Sequence, residues 1–218
     1  MTTPRPPVTT VVHLVRHGEV DNPEGVLYGR LPGYVLSARG HLMATSVATY
    51  LGRRDITLVV SSPLERARQT AASVAAAHDL EVLVDERVIE AGNHFQGQRF
   101  GRGRAAVWHP ATWALLANPL RPSWGEPYQR IATRMLAAIA GARDHAAGHE
   151  AVIVSHQLPV WTVRRKLEGR RLWHDPRSRQ CSLASLTSLT YHGDELESIG
   201  YREPAAALLL GASTVAGA

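Results

Sequence analysis

The sequence predicts an α/β protein, a three-layer α/β/α arrangement around a mainly parallel central sheet. Three observations carry that prediction. Short runs of branched apolar residues alternate along the chain with longer stretches whose apolar residues recur at helical spacing. The short runs are apolar throughout, as strands covered on both faces require. Three of them end in polar residues: Arg16-His17, Ser61-Ser62 and Ser155-His156. In covered parallel sheets, ligands gather beyond the carboxyl ends of the strands. Three polar strand endings therefore point to a site rather than to three arrivals at the surface.

Val11–Val15 reads as a buried strand. Residues 21–34 form a loop punctuated by Asn22, Pro23, Gly25, Gly29, Pro32 and Gly33. A helix is expected from Ser37 to about Arg53, then a second strand over Thr57–Val60. Ser62-Pro63 has the form of an N-cap followed by proline at the first helical position. That predicts a helix over about Pro63–His78, with Ala67, Ala71, Val74 and Ala75 on one face. Glu81–Val84 is a candidate third strand. Residues 92–124 are irregular, with one short helix expected around Ala111–Ala117. Ile131, Met135, Leu136 and Ile139 place a long helix over about Tyr128–His145. Ala151–Val154 is another apolar strand, followed by a helix over about Pro159–Leu167. Leu183–Tyr191 and Leu196–Tyr201 flank a hairpin-like turn.

At 218 residues, the length suits one sizeable domain. We expect that domain over residues 11–203, with 92–124 as an irregular lid or specificity insertion. Residues 1–10 are then a flexible arm and 204–218 an apolar tail. Met1–Thr10 carries three prolines and no apolar core, so it does not read as a secretion signal. The tail falls short of the roughly 20 apolar residues of a membrane span. Cys181 is the only cysteine, which rules out an intrachain disulfide and fits a cytoplasmic protein. The formal charge is +5 and Lys166 is the only lysine, so arginine dominates. Arginine suits bidentate phosphate and carboxylate recognition, although such a composition also follows from genome base content. No nucleic-acid motif appears, so neither nucleic acid nor membrane is an expected partner.

Other chemistries fail simple checks. Position 187 is Thr, so Cys181 lacks the arginine six residues on that a cysteine phosphatase needs. There is no Gly-x-Ser-x-Gly elbow and no Gly-x-Gly-x-x-Gly signature. His13 and His17 are four apart, a metal-site spacing on a helix. On a strand the same spacing separates them by about 13 Å, so no metal is expected.

Arg16-His17-Gly18-Glu19 with Asn22 opens a wider pattern. Leu27-Tyr28-Gly29-Arg30, Leu36-Ser37 and Gly40 follow it. Ser62-Pro63-Leu64-Glu65-Arg66-Ala67-Arg68-Gln69-Thr70-Ala71 and Val154-Ser155-His156 complete it. Together these resemble the histidine phosphatase superfamily, the phosphoglycerate mutase-like group, over roughly Val11 to Tyr201. The resemblance implies that His17 is the nucleophile taking the phosphoryl group. It implies that Arg16 and Arg66 clamp the non-bridging oxygens and that His156, as a cation, donates to them. Asn22 matches a phosphate-contacting position, and Tyr28 and Gly29 a loop on the substrate side. The family pattern Asp-x-Arg-Leu-x-Glu appears as Asp85-Glu86-Arg87-Val88-Ile89-Glu90, making Glu90 the general acid and Glu86 its alternative.

Departures bear on the pocket wall. Ala91-Gly92-Asn93-His94-Phe95-Gln96-Gly97 stands where many relatives carry Gly-x-Trp-Glu-Gly or a mutase-like His-Tyr-Gly. Gln157-Leu158-Pro159 replaces a common glycine after the late histidine, and places Gln157 in the substrate wall. Arg99, with Arg102 and Arg104, is a candidate for a second acidic group of the substrate; a solvated basic loop is the plain alternative. Trp108 and Trp113 are the tryptophans best placed to touch substrate. The reading is a metal-independent phosphomonoester hydrolase, without cofactor, acting on a small anionic phosphorylated metabolite. Its competitors are a cofactor-dependent mutase, a non-catalytic phosphate binder and an arginine-driven nucleic-acid binder. The sequence leaves room for a homodimer.

Overall fold

The computed structural model describes residues 8–98, 125–210 and 212. Six strands form one sheet: β1 (Thr9–Arg16), β2 (Ile56–Ser61), β3 (Val82–Val84), β4 (Glu150–Ser155), β5 (Leu186–His192) and β6 (Glu195–Arg202). Their order is β3-β2-β4-β1-β5-β6. The first four are mutually parallel, and the β5–β6 hairpin runs antiparallel along β1. The expected mainly parallel sheet with a hairpin at one edge is what forms.

Helices cover both faces. α1 (Ala38–Leu51) and α2 (Glu65–Ala76) pack Met43, Val47, Leu51, Ala67, Ala71 and Val74 against Val15, Val59, Val152 and Val154. α3 (Tyr128–His145) and α4 (Gln157–Leu167) pack Ile131, Met135, Ile139, Val160 and Val163 against Val12, Leu14, Val60 and Ile153. Alternate residues of β1 thus feed opposite cores, which explains why the strand sequence is apolar throughout. Ile131 and Met135 are wholly buried; side chains of this size contribute about 1.5–3 kcal/mol each by leaving water.

Local chemistry sets the helix ends. The Ser37 hydroxyl accepts from the Gly40 N–H and caps α1 as the sequence predicts. The second expected cap is corrected. α2 starts at Glu65, its cap position is Leu64, and no side chain caps it. The Ser62 hydroxyl accepts from the Leu64 N–H at 3.4 Å and lies 2.8 Å from His156 Nε2. α4 begins two residues earlier than expected, directly after His156, with Pro159 in its first turn. Proline is tolerated there because first-turn N–H groups have no helical acceptor. At the other end of the chain Ala205 is buried, and Leu208 and Leu209 pack against the α1–α2 core. No described helix is long and apolar enough to cross a membrane. Arg99, Arg102, Arg104, Trp108, Trp113 and the helix expected at Ala111–Ala117 lie outside the described residues.

Candidate active site

The carboxyl ends of β1, β2 and β4 are tied to one another through the backbone. The His17 N–H donates to the Ser155 carbonyl at 3.1 Å, and the Ser62 N–H to the Val154 carbonyl at 3.0 Å. The Ser155 hydroxyl donates to the Val88 carbonyl at 2.7 Å, fastening the segment that carries Glu90. Three strand ends and one loop are thereby brought to one point. His17, Arg66 and His156 are fully buried there, and Glu90 nearly so.

His17 is oriented by its own strand exit. Its Nδ1 lies 2.8 Å from the Gly18 carbonyl, which can only accept, so Nδ1 carries the proton and Nε2 presents a lone pair. Arg66 Nε donates to that Nε2 at 3.3 Å. Burial first, and then the Arg66 and Arg16 charges, hold the imidazole well below its usual pKa. The ring is neutral at neutral pH, as a nucleophile must be. The turn beyond it is tight: a Cβ on Gly18 would meet the Gly40 carbonyl oxygen at 2.6 Å, and one on Gly40 would meet the Glu19 carbonyl oxygen at 2.0 Å. Glycine at both positions lets the β1 exit rest directly on the first turn of α1.

Arg66 is held on three sides. Its Nη2 donates to the Gly29 carbonyl at 2.6 Å, and its guanidinium lies 4.6 Å from the centre of the Tyr28 ring, which stacks on Tyr34. Tyr28 and Gly29 therefore support the arginine. Asn22 is also used locally, since both ends of its amide bond Val26 and close the loop. Arg16 Nη1 donates to the Cys181 carbonyl at 2.8 Å, and Gln157 Nε2 to the same oxygen at 3.3 Å.

Glu90 accepts from the Ala91 N–H at 2.7 Å through Oε1. Its Oε2 faces His156 Nδ1 at 3.9 Å. Burial raises the Glu90 pKa above the ordinary carboxyl range, against the opposing pull of Ala91, Arg66, Arg179 and Arg16. A proton-bearing carboxyl is what a general acid needs. His156 differs from the expectation of a cation. Burial, then Arg66, His17, Arg134 and Arg16, push its pKa well below the usual value, so the ring is neutral. Its ring meets that of His17 edge to face, with the ring centres 5.1 Å apart.

Four buried polar atoms here have no hydrogen-bond partner among the described residues: Arg16 Nε, Arg66 Nη1, Glu90 Oε2 and His156 Nδ1. Unpaired buried groups are rare and costly, about 1–3 kcal/mol each. Two guanidinium donors, a carboxyl and an imidazole left open around one neutral histidine describe a receptor for a compact oxyanion. Glu86 takes no part in this cluster; it opens the short 3-10 turn at Glu86–Val88. A cavity of about 640 Å³ opens nearby, walled by Arg30, Glu126, Arg130 and Arg134, but none of the five central residues lines it.

One arginine here escaped the sequence reading. Arg179 lies in the loop between α4 and β5, with no motif around it, and its charge acts on Glu90. Only the folded loop brings it to the site.

Fold and site together define an enzyme of the phosphatase and mutase type. Residues 12–203 match the model of the histidine phosphatase superfamily (branch 1), and the chain belongs to that superfamily. The Mycobacterium tuberculosis chain named Uncharacterized protein Rv0525 is 58% identical over 200 residues, covering 92% of this chain and 99% of that one. The probable phosphoglycerate mutase GpmB of Escherichia coli is 29% identical, over 79% of this chain and 82% of that one. The solved structure of mycobacterial glucosyl-3-phosphoglycerate phosphatase superposes with a TM-score of 0.70 at 28% identity, covering 89% of this chain and 96% of that chain.

Proposed function

We propose that this chain hydrolyses small anionic phosphate monoesters through a phosphohistidine at His17. The observation that carries the reading is the convergence of four unpaired buried polar atoms on a neutral, tautomer-fixed histidine. The phosphatase named among the similar structures, at 28% identity, supports hydrolysis.

In the first step His17 Nε2 attacks phosphorus and the bond to the ester oxygen breaks. Arg66 turns from Nε2 to the non-bridging oxygens, beside Arg16, and offsets the charge that develops there. Glu90 passes its proton to the departing oxygen, so the alcohol leaves neutral. In the second step Glu90, now a carboxylate, takes a proton from water as the water oxygen attacks phosphorus. The N–P bond breaks, inorganic phosphate leaves, and both His17 and Glu90 recover their starting forms. His156, held by Ser62, offers Nδ1 to the same oxygens or to Glu90.

The test is phosphate release from a panel of phosphorylated metabolites and p-nitrophenyl phosphate in EDTA, for wild type and His17→Ala. Release that survives EDTA and disappears in the variant is the expected result. Failure of wild type on every compound, with turnover of 3-phosphoglycerate dependent on 2,3-bisphosphoglycerate, would replace hydrolysis by mutase chemistry.

A further inference from the structure

We propose that Arg179 is a specificity-determining residue of this site, receiving a second anionic group carried on the leaving-group side of the substrate. The proposal rests on the phosphate-ester reading of the site given above.

Arg179 is built into place by a chain of hydrogen bonds. His174 Nδ1 lies 2.7 Å from the Leu172 carbonyl. A carbonyl only accepts, so His174 donates through Nδ1 and its Nε2 has a lone pair. Arg179 Nε donates to that Nε2 at 2.9 Å. Arg179 Nη1 donates to Gln157 Oε1 at 3.3 Å, and Gln157 Nε2 reaches the Cys181 carbonyl that also holds Arg16. His174 is itself buried, between the rings of Tyr128 and Trp161. Arg165 secures the loop by donating to the Arg171 and Trp173 carbonyls. A surface arginine needs no such scaffold.

The scaffold leaves donors of the guanidinium free. Nε and one Nη1 hydrogen are used, and Nη2 makes no hydrogen bond among the described residues. A fixed guanidinium with free N–H donors suits a carboxylate or phosphate.

Position decides which part of the substrate it meets. The charges that depress the His17 pKa are those of Arg66 and Arg16, not that of Arg179. Arg179 acts, with Arg66 and Arg16, on Glu90, the group that meets the leaving oxygen, and it is joined through Gln157 to the Cys181 carbonyl that holds Arg16. Arg16 and Arg66 are thus left to the phosphoryl group, and Arg179 to what is attached to it. Gln157, predicted for the substrate wall, positions Arg179 from behind.

Binding of phosphoglycolate and of its carboxamide, measured by calorimetry on His17→Ala, tests this without turnover. The two ligands differ only in the second charge. The acid should bind roughly 10- to 100-fold more tightly, the range expected of a charge-assisted pair. Adding Arg179→Gln should bring the two within about 2-fold, while Arg179→Lys restores part of the preference. His174→Phe, which removes the acceptor but not the charge, should weaken the preference with little effect on the amide. An acid preference untouched by Arg179→Gln overturns the proposal. So does an equal loss for both ligands, which would make Arg179 part of the phosphoryl cradle. If orthophosphate itself fails to bind any variant that retains Arg66, the phosphate-ester reading fails first and this proposal with it.

Discussion

His13 in β1 and His17 just beyond its carboxyl end are buried histidines four residues apart, and they have opposite surroundings. At the amino end, His13 has both ring nitrogens engaged, by Ser188 Oγ at 2.8 Å and by Glu150 at 2.6 Å. Glu150 is in turn held by Arg54. At the carboxyl end His17 has one nitrogen on a backbone carbonyl and the other facing a single arginine, amid four unpaired polar atoms. Both clusters contain a histidine, an acid and an arginine, so composition does not separate them. Satisfaction does. A closed network stabilises, whereas an open one stores the cost that a ligand or transition state relieves.

Removing each histidine should make that contrast measurable. His17→Ala should lower phosphate release by on the order of 10⁴-fold or more, since no covalent intermediate can form. Glu90→Gln should follow with a loss of about 10²–10⁴-fold on alkyl phosphates. On p-nitrophenyl phosphate the loss should be smaller, because that leaving group departs without a proton. Equal losses on both substrates would mean that Glu90 is not the acid. His13→Ala should leave turnover in place and instead cost about 2–3 kcal/mol of stability, read as a denaturant midpoint, by stranding Glu150 and Ser188. A stable, inactive His13→Ala would break the comparison.

pH should sharpen it further. His17 and His156 have folded pKa values far below 6.5. Their neutral forms are the native ones, so the stability they confer is present above about pH 6.5 and lost as pH falls below it. The slope is about 1.4 kcal/mol per pH unit for each ring. His156→Asn should flatten the acid limb by that amount. Glu90 has the opposite sign. Its raised pKa favours the protonated fold, so its contribution is full below about pH 4.5 and is lost as pH rises through the folded value. Glu90→Gln should therefore melt above wild type at pH 8, by a margin that vanishes in acid. The smallest effect expected is from Ser62→Ala, which frees one nitrogen of His156. It should cost about 1 kcal/mol and reduce turnover more than it reduces binding of phosphate.

Much of this was legible in the chain. Apolar runs placed β1, β2 and β4, and their polar endings drew attention to Arg16, His17 and His156. Glu90 followed from the resemblance of Asp85–Glu90 to the family pattern Asp-x-Arg-Leu-x-Glu. What was not legible depends on groups distant in sequence. Ser62 looks like a helix cap because caps are local, yet its shorter contact is with His156, 94 residues away, beside a long one from the Leu64 N–H. The charge state of His156 depends on burial among four other groups, which no motif encodes. Asn22 matches a phosphate position in type but spends its amide on Val26. Arg179 sits among several arginines in 164–179, and nothing local distinguishes the one that His174 fixes.

The place of β1 in the sheet has a consequence for synthesis. His17 directly follows β1, yet β1 pairs only with β4 and β5, more than a hundred residues later. Until those strands emerge, β1 has no neighbours in the sheet, and Arg66 and His156 have nothing to converge upon. Closing so long a loop is slow, and it leaves an apolar strand waiting. His17 is thus made well before it is placed: its buried surroundings assemble only after β4 and β5 have been translated.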